Sequence, residues 1–209
     1  MTLYPDLLKH QDRCAAISDT GVSILYHELS NFSLRIADTV KPHSLVFFFC
    51  ENTIGSLAGA VAFLNNGVVP LLLDTGQNRQ LLDHLLDTYQ PAFIYLPSRM
   101  RKDFPEFKLC LKEYDYELLQ TNYKEQIPLH DNLAMLFTTS GSTGSPKLVR
   151  LSLENLRANG ESYAVQAENG AHLLPVVLEP FLLFITAFTV GFIVTALFLP
   201  LIKLLNDLS

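Results

Sequence analysis

The residues best suited to chemistry form one unbroken string, Thr138-Thr139-Ser140-Gly141-Ser142-Thr143-Gly144-Ser145-Pro146-Lys147. Glycines let a backbone turn through positive φ and approach a ligand closely. Successive N–H groups in such a turn make a nest that binds anions. The Ser and Thr hydroxyls add donors and can face a magnesium ion. Lys147 supplies a compact positive charge for phosphate. The string is not a Walker loop, which needs glycine directly before the lysine and Ser or Thr after it. Here Pro146 precedes Lys147 and Leu148 follows it. An ordinary Ser/Gly/Thr turn is the alternative. The string's position after an apolar run and before a short strand and a capped helix argues against it.

A loop of this kind needs rigid elements on both sides. Leu133 to Phe137 reads as a strand leading into it, and Lys147 to Leu151 as a strand leaving it. Ser152 then caps a helix running to about residue 167, with Asn155 and Arg157 among its polar positions. Upstream, residues 26–39 place Leu29, Phe32 and Ile36 on one helical face. Ser44 to Cys50 is a continuous apolar run, suited to a strand covered on both faces of a parallel sheet. Residues 54–66 read as a tightly packed helix rich in Ala, Leu and Gly, ended by Asn66-Gly67. Val68 to Leu73 is a strand, 80–89 a helix with Leu81, Leu82, Leu85 and Leu86 inward, and Ala92 to Leu96 a strand. Residues 97–130 show little periodicity. The charges from Asp103 to Glu117 read as a solvated face. Strands alternating with helices predict an α/β fold with a doubly wound, largely parallel sheet and flanking helices.

With 15 basic and 21 acidic residues the net charge is −6, and no basic stripe is interleaved with aromatics. A nucleic-acid partner is therefore not expected. Cys14, Cys50 and Cys110 are far apart and odd in number, which suggests neither a zinc site nor a disulfide framework. A reducing compartment is the default reading, with Cys50 a small core residue. The amino terminus lacks the basic start and apolar run of a signal peptide. His43 and His130 read as turn residues, His172 as an interface or turn residue, and Asp74 as a turn cap at a strand end.

The segment from Leu136 to Lys147 resembles the signature loop of the adenylate-forming superfamily: acyl-CoA synthetases, nonribosomal peptide adenylation domains and luciferase-like enzymes. Tyr26-His27-Glu28-Leu29 is similar to the family's early "TYxEL" helix start. Leu45 to Asp74, with Glu51-Asn52 and the Gly67-Val68-Val69-Pro70 step, is similar to its first strand–helix–strand unit. Leu81 to Tyr95 resembles the following helix and strand, and Asn155 matches a common helix start after the loop. The likeness covers about residues 15 to 165. It implies an ATP-dependent carboxylic acid–AMP ligase, with ATP and Mg2+ as cofactors and an unidentified carboxylic acid as substrate. It also implies that Thr138, Thr139, Ser140, Gly141, Ser142, Thr143, Gly144 and Lys147 hold the ATP phosphates. Lys147, with the hydroxyls, would stabilise charge on the leaving pyrophosphate as the catalytic residue.

Two domains are expected: a partial adenylate-forming domain at 1–167 and an apolar tail at 168–209. From Pro180 to Ile202 there is no charged residue. At roughly 1.5 Å per residue a helix there would be long enough to cross a bilayer core. The tail thus has three readings: a transmembrane helix at 180–202, the family's next strand and helix, or an unrelated segment joined by fusion. The later family motifs, "YGxTE", the ribose-binding Asp and the carboxyl-terminal Lys, are not found. The expectation is a truncated or partial ligase with a cytoplasmic domain. It would be completed by another chain, be a catalytically silent nucleotide-binding remnant, or act as a membrane-anchored module.

Overall fold

The computed structural model describes residues 7–123, 127–139 and 147–168. It divides into two compact units, Met1–Arg157 and Ala158–Ser209. In the second unit the description covers only residues 158–168.

The first unit opens with a small hairpin, β1 (Cys14–Ile17) against β2 (Ser23–Leu25), which form a separate two-stranded sheet. Helix α1 (Tyr26–Thr39) comes directly after it. Its first turn explains the Tyr-His-Glu-Leu start: Glu28 Oε2 accepts the Leu25 N–H at 2.7 Å and so satisfies a donor the helix cannot. The predicted stripe is buried, with Ser33 added to Leu29, Phe32 and Ile36.

Four strands form the parallel centre of a second sheet: β3 (Leu45–Cys50), β4 (Val69–Asp74), β5 (Phe93–Pro97) and β8 (Leu133–Thr139). Between them run α2 (Ile54–Asn65) and α3 (Arg79–Tyr89). Side chains of β3 alternate between faces, as pleating demands. Val46 and Phe48 pack with α1 and α2. Phe47 and Phe49 pack with α3. A strand covered on both sides has to be apolar throughout, which is why Leu-Val-Phe-Phe-Phe-Cys carries no polar alternation.

Helix α2 lies very close to the sheet. A Cβ on Gly59 would meet Tyr95 Cε1 at 2.2 Å, and one on Gly55 would meet the Tyr114 carbonyl oxygen at 2.4 Å. The Tyr95 hydroxyl donates to the Gly55 carbonyl at 2.9 Å. Gly67, at φ +64, ends α2 in the left-handed region that glycine enters freely.

The stretch expected to be irregular contains regular structure. After a 3-10 turn at Ser98–Asp103 come β6 (Lys108–Glu113) and β7 (Tyr116–Gln120), paired antiparallel. With β9 (Lys147–Ser152) antiparallel to β8, the sheet order is β6-β7-β5-β3-β4-β8-β9. The doubly wound parallel centre is as expected; the margins are antiparallel, so the sheet is mixed. Glu117 departs from expectation. It is not on a solvated face but buried, 3 % exposed, with the Lys112 ammonium at 2.9 Å and the Arg101 guanidinium at 3.5 Å. An ion pair makes burial of that carboxylate tolerable.

The proposed span 180–202, like all of 169–209, lies outside the described residues. Among the described residues no helix is long and apolar enough to cross a membrane.

Candidate functional site

Strand β8 sits between β4 and β9. It runs parallel to β4, with Leu71 opposite Leu136 and Leu72 opposite Phe137. It runs antiparallel to β9 through Thr138–Leu148 to a last pair, Thr139–Lys147. The chain therefore leaves β8 and re-enters β9 at one rung. This rung is at the carboxyl end of the parallel strands, where open α/β sheets hold their ligands. Of the residues singled out from the sequence, Thr138 is half-buried inside the ladder, and Thr139 and Lys147 are its terminal backbone partners. Ser140, Gly141, Ser142, Thr143 and Gly144 lie outside the described residues.

Beyond the hairpin the chain runs as the sequence suggests. Ser152 Oγ accepts the Asn155 N–H at 3.1 Å, and the two side chains bond at 2.9 Å, capping α4 (Leu153–Glu168).

Asp74 ends β4 beside the hairpin, and its Oδ1 accepts the Gly76 N–H at 2.8 Å, a turn cap. His43, at φ 60, is an exposed turn residue whose N–H donates to the Gly67 carbonyl at 2.8 Å. His130 is also exposed, its Nδ1 accepting the Asn132 N–H at 3.2 Å. His172 lies outside the described residues. Cys50 is half-buried at the end of β3, and burial pushes its thiol up to about 11. It is packed rather than poised for reaction.

A second feature shares the carboxyl edge, and sequence reasoning missed it. A cavity of ≈ 400 Å³ opens where the chain leaves β3 at Glu51 and β5 at Ser98. The connections from these two neighbouring strands run in opposite directions, β3 toward β4 and β5 toward β7. Such a divergence opens a crevice. No motif marks it, because its walls come from four separate stretches of chain.

The fold is an α/β domain with a mixed, centrally parallel sheet, and comparison with known proteins assigns its family. The AMP-binding enzyme family matches residues 6–203. The chain belongs to that family. The match extends beyond residue 165 and runs through 180–202. The chain is 28% identical over 143 residues to the NRPS-like oxidoreductase fscA of Fusarium equiseti, covering 64% of this chain and 14% of that protein. It is 28% identical over 157 residues to chondramide synthase cmdD of Chondromyces crocatus, covering 73% of this chain and 4% of that one. Apo MatB from Rhodopseudomonas palustris superposes with a TM-score of 0.58 at 22% identity, over 76% of this chain and 36% of MatB. O-succinylbenzoate coenzyme A synthetase (MenE) from Bacillus subtilis, solved in complex with AMP, gives 0.58 at 21% identity, over 78% and 45%. The structural likeness shows a shared fold. The chain spans about a seventh of fscA and less than half of either solved protein.

Proposed function

We propose that the chain is the amino-terminal part of an ATP-dependent carboxylic acid–AMP ligase, and that 138–147 receives the phosphates of MgATP. The observation that carries this reading is the seat of the string. In a chain of the AMP-binding family, Thr139 and Lys147 close one rung of the β8–β9 ladder at the carboxyl edge of the parallel strands. The residues fit the group. Residues 140–146 include two glycines, and with Thr139 and Lys147 they offer backbone donors, hydroxyls and one cation to phosphate oxygens. Among the described residues no three His, Cys, Asp or Glu side chains gather into a metal cage. Magnesium commonly binds through phosphate oxygens and water, with one or two protein ligands.

In the proposed reaction a substrate carboxylate oxygen attacks the α-phosphorus. The bond from that phosphorus to the bridging oxygen breaks, and pyrophosphate leaves. Negative charge grows on the leaving group, where fixed donors and the Lys147 ammonium act most strongly. The acyl-adenylate is then open to a thiol or another acceptor. The apolar segment 180–202 reads best as a further part of the same domain, because the family match runs through it.

ATP–pyrophosphate exchange on the purified chain, against a panel of carboxylic acids, tests this reading. Exchange that one acid stimulates and Lys147→Ala abolishes would establish the ligase reading. The chain spans less than half of either solved protein, so MgATP binding that Lys147→Ala weakens is the result expected of this part alone, and no MgATP binding would overturn the reading.

A further inference from the structure

Asp74 carries a charge that the proposed reaction does not use. It ends β4 as Thr139 ends β8. The two strands are parallel neighbours, with Leu71 opposite Leu136 and Leu72 opposite Phe137. Two residues farther along that register Asp74 comes level with Thr139. Thr139 pairs in turn with Lys147 across the β8–β9 ladder. Neighbouring strands lie about 4.8 Å apart, so the Asp74 backbone is roughly one strand spacing from Thr139 and two from Lys147. Asp74 is exposed, and its Oδ1 is fixed by the Gly76 N–H at 2.8 Å. It forms no ion pair among the described residues. Glu51, which follows the neighbouring β3, is by contrast paired with Arg99. Of these two strand-end carboxylates, Asp74 is the one whose charge is not offset, and it stands on the rung of Thr139 and Lys147.

A carboxylate on that rung has the wrong sign for phosphate and repels it. The two become compatible once a divalent cation stands between them. Magnesium commonly takes that place, bound by one or two carboxylates together with substrate phosphates. Among the described residues no three His, Cys, Asp or Glu side chains gather, so a cation carried in on the nucleotide fits better than one held by a protein cage. We propose that Asp74 is the carboxylate that meets the magnesium of MgATP, directly or through one water. The inference rests on the proposed seat of MgATP at 138–147.

Equilibrium binding of ATP, with magnesium and with EDTA, tests it. Asp74→Asn removes the charge and keeps an oxygen for the Gly76 N–H, and Asp74→Ser keeps a shorter turn acceptor. Each should weaken MgATP roughly ten-fold and leave magnesium-free ATP unchanged or tighter. The magnesium concentration that half-saturates binding at fixed ATP should rise in step. Asp87→Asn, on the exposed face of α3 near its far end, should change none of these. Melting curves that match the parent show that the variants are folded. The proposal is overturned if the Asp74 variants bind MgATP like the parent or weaken both forms of ATP equally. It is also overturned if the parent itself binds the two forms equally well. Each of those results leaves the nucleotide seat standing, whereas a parent that binds neither form overturns this inference and the ligase reading together.

Discussion

Gly59 and Tyr95 are in such close contact that the helix carrying one and the strand carrying the other leave no room for a methyl group. A Cβ on Gly59 would lie 2.2 Å from the ring edge of Tyr95, which is itself 1 % exposed and held by its bond to Gly55. The ring cannot swing away, because Phe48, Phe63 and Tyr116 surround it at centroid distances of 5.3, 5.3 and 4.8 Å. Gly59→Ala is expected to lose about 1–3 kcal/mol, the usual cost of overpacking, despite alanine's better helix propensity. A lower denaturant midpoint with an unchanged m-value would show it; a stabilised variant would mean that α2 sits farther from the sheet.

Arg101 ties the 3-10 turn to its surroundings. Its guanidinium donates to the carbonyls of Phe104 and Phe107 and lies 3.5 Å from the buried Glu117 carboxylate. Arg101→Met should cost about 2–4 kcal/mol, because a buried carboxylate loses a counter-ion while two carbonyls lose their donor. Lys112→Met should cost less, since the Lys112 side chain is 60 % exposed. Equilibrium unfolding of the two variants side by side decides the order.

Alkaline pH should destabilise the fold. Burial raises the Cys50 thiol from its ordinary 9.0 to about 11, and raises the Tyr95 and Tyr116 phenols above their ordinary 10.0. Each group holds its proton more tightly in the folded state, so its contribution is intact below the unfolded value and is lost as pH rises through the folded one. For Cys50 that window is about pH 9 to 11. Stability measured across it should fall, and Cys50→Ala should flatten the slope. At pH 8 iodoacetamide should modify the exposed Cys14 well before Cys50.

Ser152 links the hairpin to the helix behind it. Losing its bond to the Asn155 N–H in Ser152→Ala should cost about 1 kcal/mol, and Ser152→Asp should restore most of it. Thermal unfolding of the three proteins gives the comparison.

The parts of the fold that could be read from the sequence are those whose burial leaves an unambiguous pattern. β3, β4 and β5 read as strands because both faces are covered. α1 and α3 read as helices because one face is. The β6–β7 hairpin escaped notice for three reasons. A register shift between Leu109 and Leu111 breaks the alternation of β6. Leu109 is 44 % exposed while Glu117 is buried, the reverse of what their chemistry suggests. The turn is made by Tyr114 and Asp115, both at positive φ, where a glycine or asparagine would have signalled it. The β1–β2 hairpin is too short, at four and three residues, to show a period. For the candidate loop, only the strands on either side of it, β8 and β9, can be compared with the sequence reading, and both are where it placed them. The β3–β5 cavity could not be read from the sequence, because it exists only once distant segments meet.

Equilibrium binding of MgATP, with inorganic pyrophosphate and AMP as competitors, tests the central claim most directly. If 138–147 holds the β- and γ-phosphates, pyrophosphate should displace MgATP, AMP should compete poorly, and Lys147→Ala should weaken MgATP at least ten-fold. Binding that AMP displaces as well as ATP does, and that Lys147→Ala leaves unchanged, would contradict the assignment of the loop.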